Sequence, residues 1–155
     1  MIRRVTVKDQ EEIMSVLGTT MSDKYIPEMR AELNEVVAGL VQGYVLLDDS
    51  SRLLGYITCK KTTDTYKIET LAVAPDQQGK GIGRLLVAYL EQILLESVSP
   101  PVVINVVTED TSDDPVQEFY KKCGYKVSGV VENEFSMGDR QVHLCKIVDY
   151  DNAHH

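Results

Sequence analysis

Between Lys67 and Leu94 the chain reads KIETLAVAPDQQGKGIGRLLVAYLEQIL, an apolar strand-like run, a glycine-spaced turn and a leucine-rich helix in direct succession. The turn constrains the fold most, because it places Gly79, Gly81 and Gly83 where a helix begins. The first N–H groups of a helix have no internal partner, and the aligned peptide dipoles add partial positive charge there. Alternate glycines remove the side chains that would hold an anion away from those groups. A phosphate-bearing ligand is therefore the leading expectation for this segment.

Spacing narrows the ligand. A P-loop needs Ser or Thr directly after Gly-Lys, but Gly79-Lys80 is followed by Gly81. The dinucleotide pattern G-x-G-x-x-G fails as well, since Arg84 holds the position of its last glycine. The pattern that fits is Q-x-x-G-x-G, with Gln78, Gly81 and Gly83, preceded by LAVAP and followed by RLLVAYL. This arrangement resembles the coenzyme A signature of the GNAT acyltransferase superfamily. The resemblance covers residues 1–148 and is sharpest over 66–124. It implies an α/β (α+β) fold: a mixed six- to seven-stranded sheet flanked by about four helices, with a splayed central strand pair. It also implies one domain over 1–148, with 149–155 as a disordered tail.

Periodicity alone supports only an α/β or α+β domain. Residues 2–7 read as a strand, and a helix opens at Lys8-Asp9 and runs to about Leu17. A second helix follows a Ser22 or Asp23 cap and carries Met29, Leu33, Val36, Val37 and Leu40 at three- and four-residue spacing. Strands are expected at Tyr44–Leu47, Leu53–Cys59, Tyr66–Ala74 and Val102–Val107, then Lys126–Glu134 and Gln141–Val148. The helix from Gly79 presents Ile82, Leu85, Leu86, Tyr89, Leu90, Ile93 and Leu94 on one face. A short helix near Pro115–Cys123 stops at Gly124.

Composition excludes several classes. The net charge of -8 argues against nucleic acid as a partner, and it suits a cationic acceptor. No apolar run approaches the ~20 residues that span a bilayer, and MIRRVTVKDQEE has no secretory h-region, so a cytoplasmic protein without a membrane partner is expected. Cys59, Cys123 and Cys145 form no C-x-x-C pair and read as buried free thiols. With three histidines, two of them at the extreme C-terminus, no metal site is expected.

Acyl transfer from coenzyme A requires that the thioester be held and polarised, that the attacking amine lose a proton, and that the departing thiolate gain one. The resemblance assigns the holding to the backbone of Leu71, Ala72 and Val73, where the strand parts from its neighbour, with the Val73 N–H toward the thioester oxygen. It seats the pyrophosphate on the N–H groups of Gly79, Lys80, Gly81, Ile82, Gly83 and Arg84, beside Gln78. Tyr120, in FYKKCGY, corresponds to the tyrosine that lies near the coenzyme sulfur and is the expected proton donor. Phe119 is expected in the core. Glu69, two residues before Leu71, is the expected base through water, with His143 as the fallback. One departure is Asp113, where relatives often carry an Asn that contacts the coenzyme.

The expected function is an acetyl-CoA-dependent N-acetyltransferase acting on a primary amine of a small molecule or peptide, with no metal. The alternative is a non-catalytic acyl-CoA-binding or regulatory module, and another acyl chain could replace acetyl. Acceptor contacts are expected from Gly18–Pro27 and Glu132–Arg140, with Tyr25, Met29, Glu132, Glu134 and Asp139 as candidates. Monomer and homodimer both remain open.

Overall fold

The computed structural model describes residues 1–111 and 115–151. In chain order the elements are β1 (Ile2–Arg4), α1 (Gln10–Thr20), α2 (Ile26–Val37), β2 (Gln42–Leu47), β3 (Leu53–Lys61), β4 (Tyr66–Val73), α3 (Ile82–Ser97), β5 (Val102–Glu109), α4 (Pro115–Lys122), β6 (Lys126–Glu132) and β7 (Arg140–Val148). The strands form one mixed sheet in the order β1-β2-β3-β4-β5-β7-β6. The β4–β5 ladder is parallel, whereas β1–β2, β2–β3, β5–β7 and β6–β7 are antiparallel. This is the mixed sheet that the resemblance implied.

The chain divides into two compact units, Met1–Lys60 with Glu69–Leu90, and Lys61–Ile68 with the chain from Glu91 onward. In the first unit, Ile13 and Leu17 of α1 and Leu33 of α2 meet Val45, Leu47, Leu53, Tyr56 and Ala72 of the strands, and Ala74 just past β4. α1 continues past Leu17, where the sequence suggests a stop, through Gly18 to Thr20. The extension is stabilised locally, since the Thr19 and Thr20 hydroxyls both donate to the Val16 carbonyl, at 2.8 and 2.9 Å.

Gly55 of β3 sets how closely α3 approaches. A Cβ at that position would lie 2.7 Å from Leu86 Cδ1 and 2.9 Å from Ile82 Cγ2. The missing side chain lets the first turn of α3 rest directly on the strand. Ile82 and Leu86 are both buried and lie one turn apart. Leu85, expected on the same face, is instead exposed, while Val87 is buried. The buried surface follows the row Ile82–Leu86–Leu90–Leu94 and its neighbour Val87–Glu91–Leu95, and Leu85 falls outside both.

In the second unit Ile104, Val106, Leu144 and Val148 of β5 and β7 are fully or nearly buried. A charged network lies inside this unit. Lys146 Nζ donates to Glu91 Oε1 at 2.7 Å and to the Cys123 carbonyl at 2.9 Å, and Tyr125 Oη donates to Glu91 Oε2 at 3.3 Å. Each charge has a partner, as burial at this depth demands. β6, at the end of the strand order, leaves Val127, Val130 and Val131 exposed. Cys59 and Cys123 are buried free thiols and Cys145 is partly buried.

Gly55→Ala is expected to destabilise the protein by about 1–3 kcal/mol, because a methyl group there must displace Leu86 and Ile82. Urea denaturation should show the loss as a lower midpoint with an unchanged slope.

Candidate functional site

The site is built on the end of β4 and the turn that follows. Along β4, Tyr66, Ile68, Thr70 and Ala72 are buried, Lys67, Leu71 and Val73 are half-buried, and Glu69 is exposed. The parallel ladder to β5 runs from Tyr66↔Ile104 to Ile68↔Val106, and β4 continues beyond it through Val73. The chain then turns tightly. Ala74 N–H donates to the Leu54 carbonyl at 2.9 Å, and Gln77 N–H donates to the Ala74 carbonyl at 2.8 Å.

Gln78 is exposed, and its Nε2 reaches back to the Val73 carbonyl at 3.3 Å, so the signature glutamine ties the turn to the strand. Gly79 and Gly81 adopt φ of +79° and +82°, which only glycine takes without strain. A Cβ at either position would meet nothing within 4 Å, so these glycines answer to backbone conformation and leave open space above the turn. α3 begins at Ile82, three residues later than the sequence pattern suggests, because positive φ at Gly79 and Gly81 is incompatible with a right-handed helix. Among the described residues, no protein acceptor meets the N–H groups of Gly79, Lys80, Gly81, Ile82, Gly83 or Arg84. The result is a row of donors at the start of a 16-residue helix.

Charge around the turn is arranged to match. Asp76 would oppose an anion, but Arg52 Nη2 lies 2.6 Å from each of its carboxylate oxygens. That guanidinium holds Asp76 below the usual carboxylate range. Lys80 and Arg84 are exposed and have no carboxylate partner among the described residues. Ile82 is buried against Gly55, so it contributes its amide and anchors the turn.

Tyr120 belongs to the second unit. It is buried, with its ring edge-on to Phe119 at 5.0 Å and to Tyr125 at 5.5 Å. Its hydroxyl has no hydrogen-bond partner among the described residues, and burial pushes its pKa well above the ordinary tyrosine value. The hydroxyl therefore stays protonated and able to donate. Phe119, expected in the core, is only half-buried, because the helix turns Tyr120 inward at that point. His143 is engaged by the Glu134 carboxylate. Glu132 pairs with Arg140 at 3.3 Å, and Asp139 accepts from Phe135 N–H at 3.1 Å. Tyr25 and Met29 are partly buried. Asp113 lies outside the described residues, as does the tail beyond 151.

One carboxylate escaped the sequence reading. Glu32 of α2 accepts hydrogen bonds from Thr58 Oγ1 at 2.7 Å and Thr70 Oγ1 at 3.0 Å. Thr58 Oγ1 in turn accepts from the Thr70 N–H at 3.0 Å. Burial pushes the Glu32 carboxyl up, opposed by the two hydroxyls, while the like charge of Glu69 adds to the rise. The signal was present in the helix pattern. Glu32 is three residues after Met29 and four before Val36, so it falls on the inward stripe.

A matched strand end, a glycine turn donating free amides and a mixed seven-stranded sheet define the acetyltransferases of the GNAT type. The GNAT acetyltransferase family model matches residues 11–125, and the chain belongs to that family; it is an N-acyltransferase. It is similar to the peptidyl-lysine N-acetyltransferase YjaB of Salmonella typhimurium, at 28% identity over 134 residues covering 83% of this chain and 84% of that protein. Among solved structures, a GNAT-family acetyltransferase from Desulfovibrio desulfuricans superposes with TM-score 0.86 at 20% identity, covering 96% of this chain and 99% of that one. The PaiA N-acetyltransferase of Thermoplasma acidophilum, solved in complex with coenzyme A, superposes with TM-score 0.72 at 22% identity, covering 96% and 98%. No described helix is long and apolar enough to cross a membrane, and no group of three or more metal-ligating side chains occurs among the described residues.

Tyr120→Phe is expected to unfold within about 0.5 kcal/mol of the parent protein, since the hydroxyl it removes has no protein partner. Thermal denaturation of the two proteins checks this.

Proposed function

We propose that this protein is an acetyl-CoA-dependent N-acetyltransferase acting in the cytoplasm on the primary amine of a small molecule or peptide. The observation that carries the reading is the row of unpartnered amides from Gly79 to Arg84, opened by two glycines at positive φ. Such a row suits a pyrophosphate and offers nothing comparable to a neutral ligand. The exposed Lys80 and Arg84 add charge of the right sign, and the pairing of Asp76 with Arg52 offsets the opposing charge just before the turn.

Bound there, acetyl-CoA supplies an activated acetyl group as its thioester. The backbone of Leu71, Ala72 and Val73, beyond the part of β4 paired with β5, is assigned to the pantetheine arm, with the Val73 N–H polarising the acyl carbonyl. Tyr120 is assigned to protonate the departing thiolate. Its raised pKa keeps the hydroxyl neutral, so its part is to donate a hydrogen bond to the developing thiolate as that sulfur gains its proton. Glu69, by family resemblance, is the carboxylate that relays the amine proton through water. The acidity of the whole chain favours a cationic acceptor, and the named activity of the Salmonella relative supports a lysine side chain as one such acceptor.

Calorimetric titration with acetyl-CoA, followed by thiol release over a panel of amines, tests the assignment. Saturable binding and amine-dependent thiol release are expected. Binding without release for every amine would favour the non-catalytic acyl-CoA module. Gly81→Ala should weaken acetyl-CoA binding by about 5- to 30-fold, the equivalent of the ~1–2 kcal/mol by which a side chain disfavours a left-handed backbone. Tyr120→Phe should bind acetyl-CoA normally and lose about 10²- to 10⁴-fold in turnover.

A further inference from the structure

Glu32 sits in a polar cluster inside the first unit that neither packing nor coenzyme binding explains. Only its Oε1 is used, by the hydroxyls of Thr58 and Thr70, and Oε2 has no protein partner. The two threonines are almost fully buried, on β3 and β4, and the hydroxyl-to-amide link between them fixes their orientation. Tyr56, two residues before Thr58 and on the same face of β3, is 1% exposed, and its hydroxyl has no hydrogen-bond partner. The Glu32 charge acts on that hydroxyl.

The buried Tyr56 hydroxyl is costly to leave unpaired, whereas Glu32, only partly buried, keeps Oε2 open to a further group. What both lack differs in kind. The carboxylate can accept a proton, while the phenol can donate one or accept one. A primary ammonium, with three N–H donors, would serve both.

The charged and titratable groups around Glu32 agree with this. On β4, Glu69 contributes a second negative charge. On β3, Lys60 contributes a positive one, but its Nζ lies 3.9 Å from Glu35 of α2 and is partly neutralised there. The remaining neighbour, Tyr56, is neutral, so the local balance favours a cation.

We propose that Glu32, with the Tyr56 hydroxyl beside it, receives the acceptor's ammonium group and takes its proton. The inference rests on the acetyltransferase reading above and moves the base from Glu69 to Glu32. In the step, an N–H bond of R–NH₃⁺ breaks and an O–H bond forms on Glu32 Oε2. The electron pair stays on nitrogen, giving R–NH₂ and a neutral carboxylic acid, so charge and atoms balance. The neutral amine is then the nucleophile. The surroundings suit the task, because burial first and then the charge of Glu69 raise the proton affinity of Glu32.

The test uses the full-length protein and three probes: spermidine, an aminoglycoside and a lysine-containing peptide. For whichever turns over fastest, kcat/KM is recorded against pH, alongside the Kd of acetyl-CoA. Glu32→Gln should leave the Kd within twofold, lower kcat/KM about 10²- to 10³-fold at pH 7 and remove the acidic limb of the profile. Glu69→Gln should keep the limb and move it to lower pH, since a like charge that raised the Glu32 pKa is gone. Should Glu32→Gln fail to fold, Thr70 decides. Thr70→Val removes a hydroxyl that stabilises the carboxylate and should move the limb to higher pH, whereas Thr70→Ser should leave it in place. A limb abolished by Glu69→Gln but kept in Glu32→Gln, or unmoved by Thr70→Val, overturns the inference and leaves the acetyltransferase reading standing. Absence of acetyl-CoA binding, or of turnover with any probe, overturns the acetyltransferase reading and this inference with it.

Discussion

The contact of Ile82 and Leu86 with the bare backbone at Gly55 governs the molecule's functional end. It fixes the height of α3 above β3, and the turn from Gln78 to Gly81 must then close the remaining gap to β4. Closing it demands two residues in the left-handed region, which explains the glycines at 79 and 81. The free amides follow without further design, since a helix that starts abruptly after such a turn has nothing behind it to bond. Core packing and ligand recognition are thus one constraint: side chains of Ile82 and Leu86 face the strand while the main chain above them faces outward.

Two carboxylates, one buried and one partly buried, show how differently the fold treats charge. Glu91 is 2% exposed and has partners on both oxygens, from Lys146 and Tyr125. Nothing is left over, and the arrangement reads as architecture. Glu32 shares one oxygen between two threonines and leaves the other unused, next to a phenol that is itself unserved. The contrast separates a charge kept for the fold from one kept for chemistry.

The glycine turn was legible because its backbone needs restrict the residue types allowed, and such restrictions survive as letters. Strand and helix positions were legible from periodicity, within a few residues at each end. Three features were not. The continuation of α1 to Thr20 is accompanied by hydroxyl bonds to Val16, which no hydrophobic pattern records. The exposure of Leu85 depends on which of two adjacent rows of α3 meets the sheet, and a leucine fits either. Glu32 lies on the inward stripe of α2, yet a glutamate in an amphipathic helix normally reads as a solvated face, and its partners Thr58 and Thr70 emerge only in the fold. Tyr120 was found by its motif, but its depth of burial and the outward displacement of Phe119 required coordinates.

The ion pair between Arg52 and Asp76 has an effect on approach as well as on binding. A polyanion drifting toward a chain of net charge -8 meets repulsion at long range. Only within about a Debye length, ~8–10 Å, do Lys80, Arg84 and the helix start outweigh it, helped by Arg52, which offsets the Asp76 carboxylate just before the turn. Added salt screens the distant repulsion more than the close attraction. Encounter with such a ligand should therefore quicken as ionic strength rises from very low values, the reverse of steering by a basic surface.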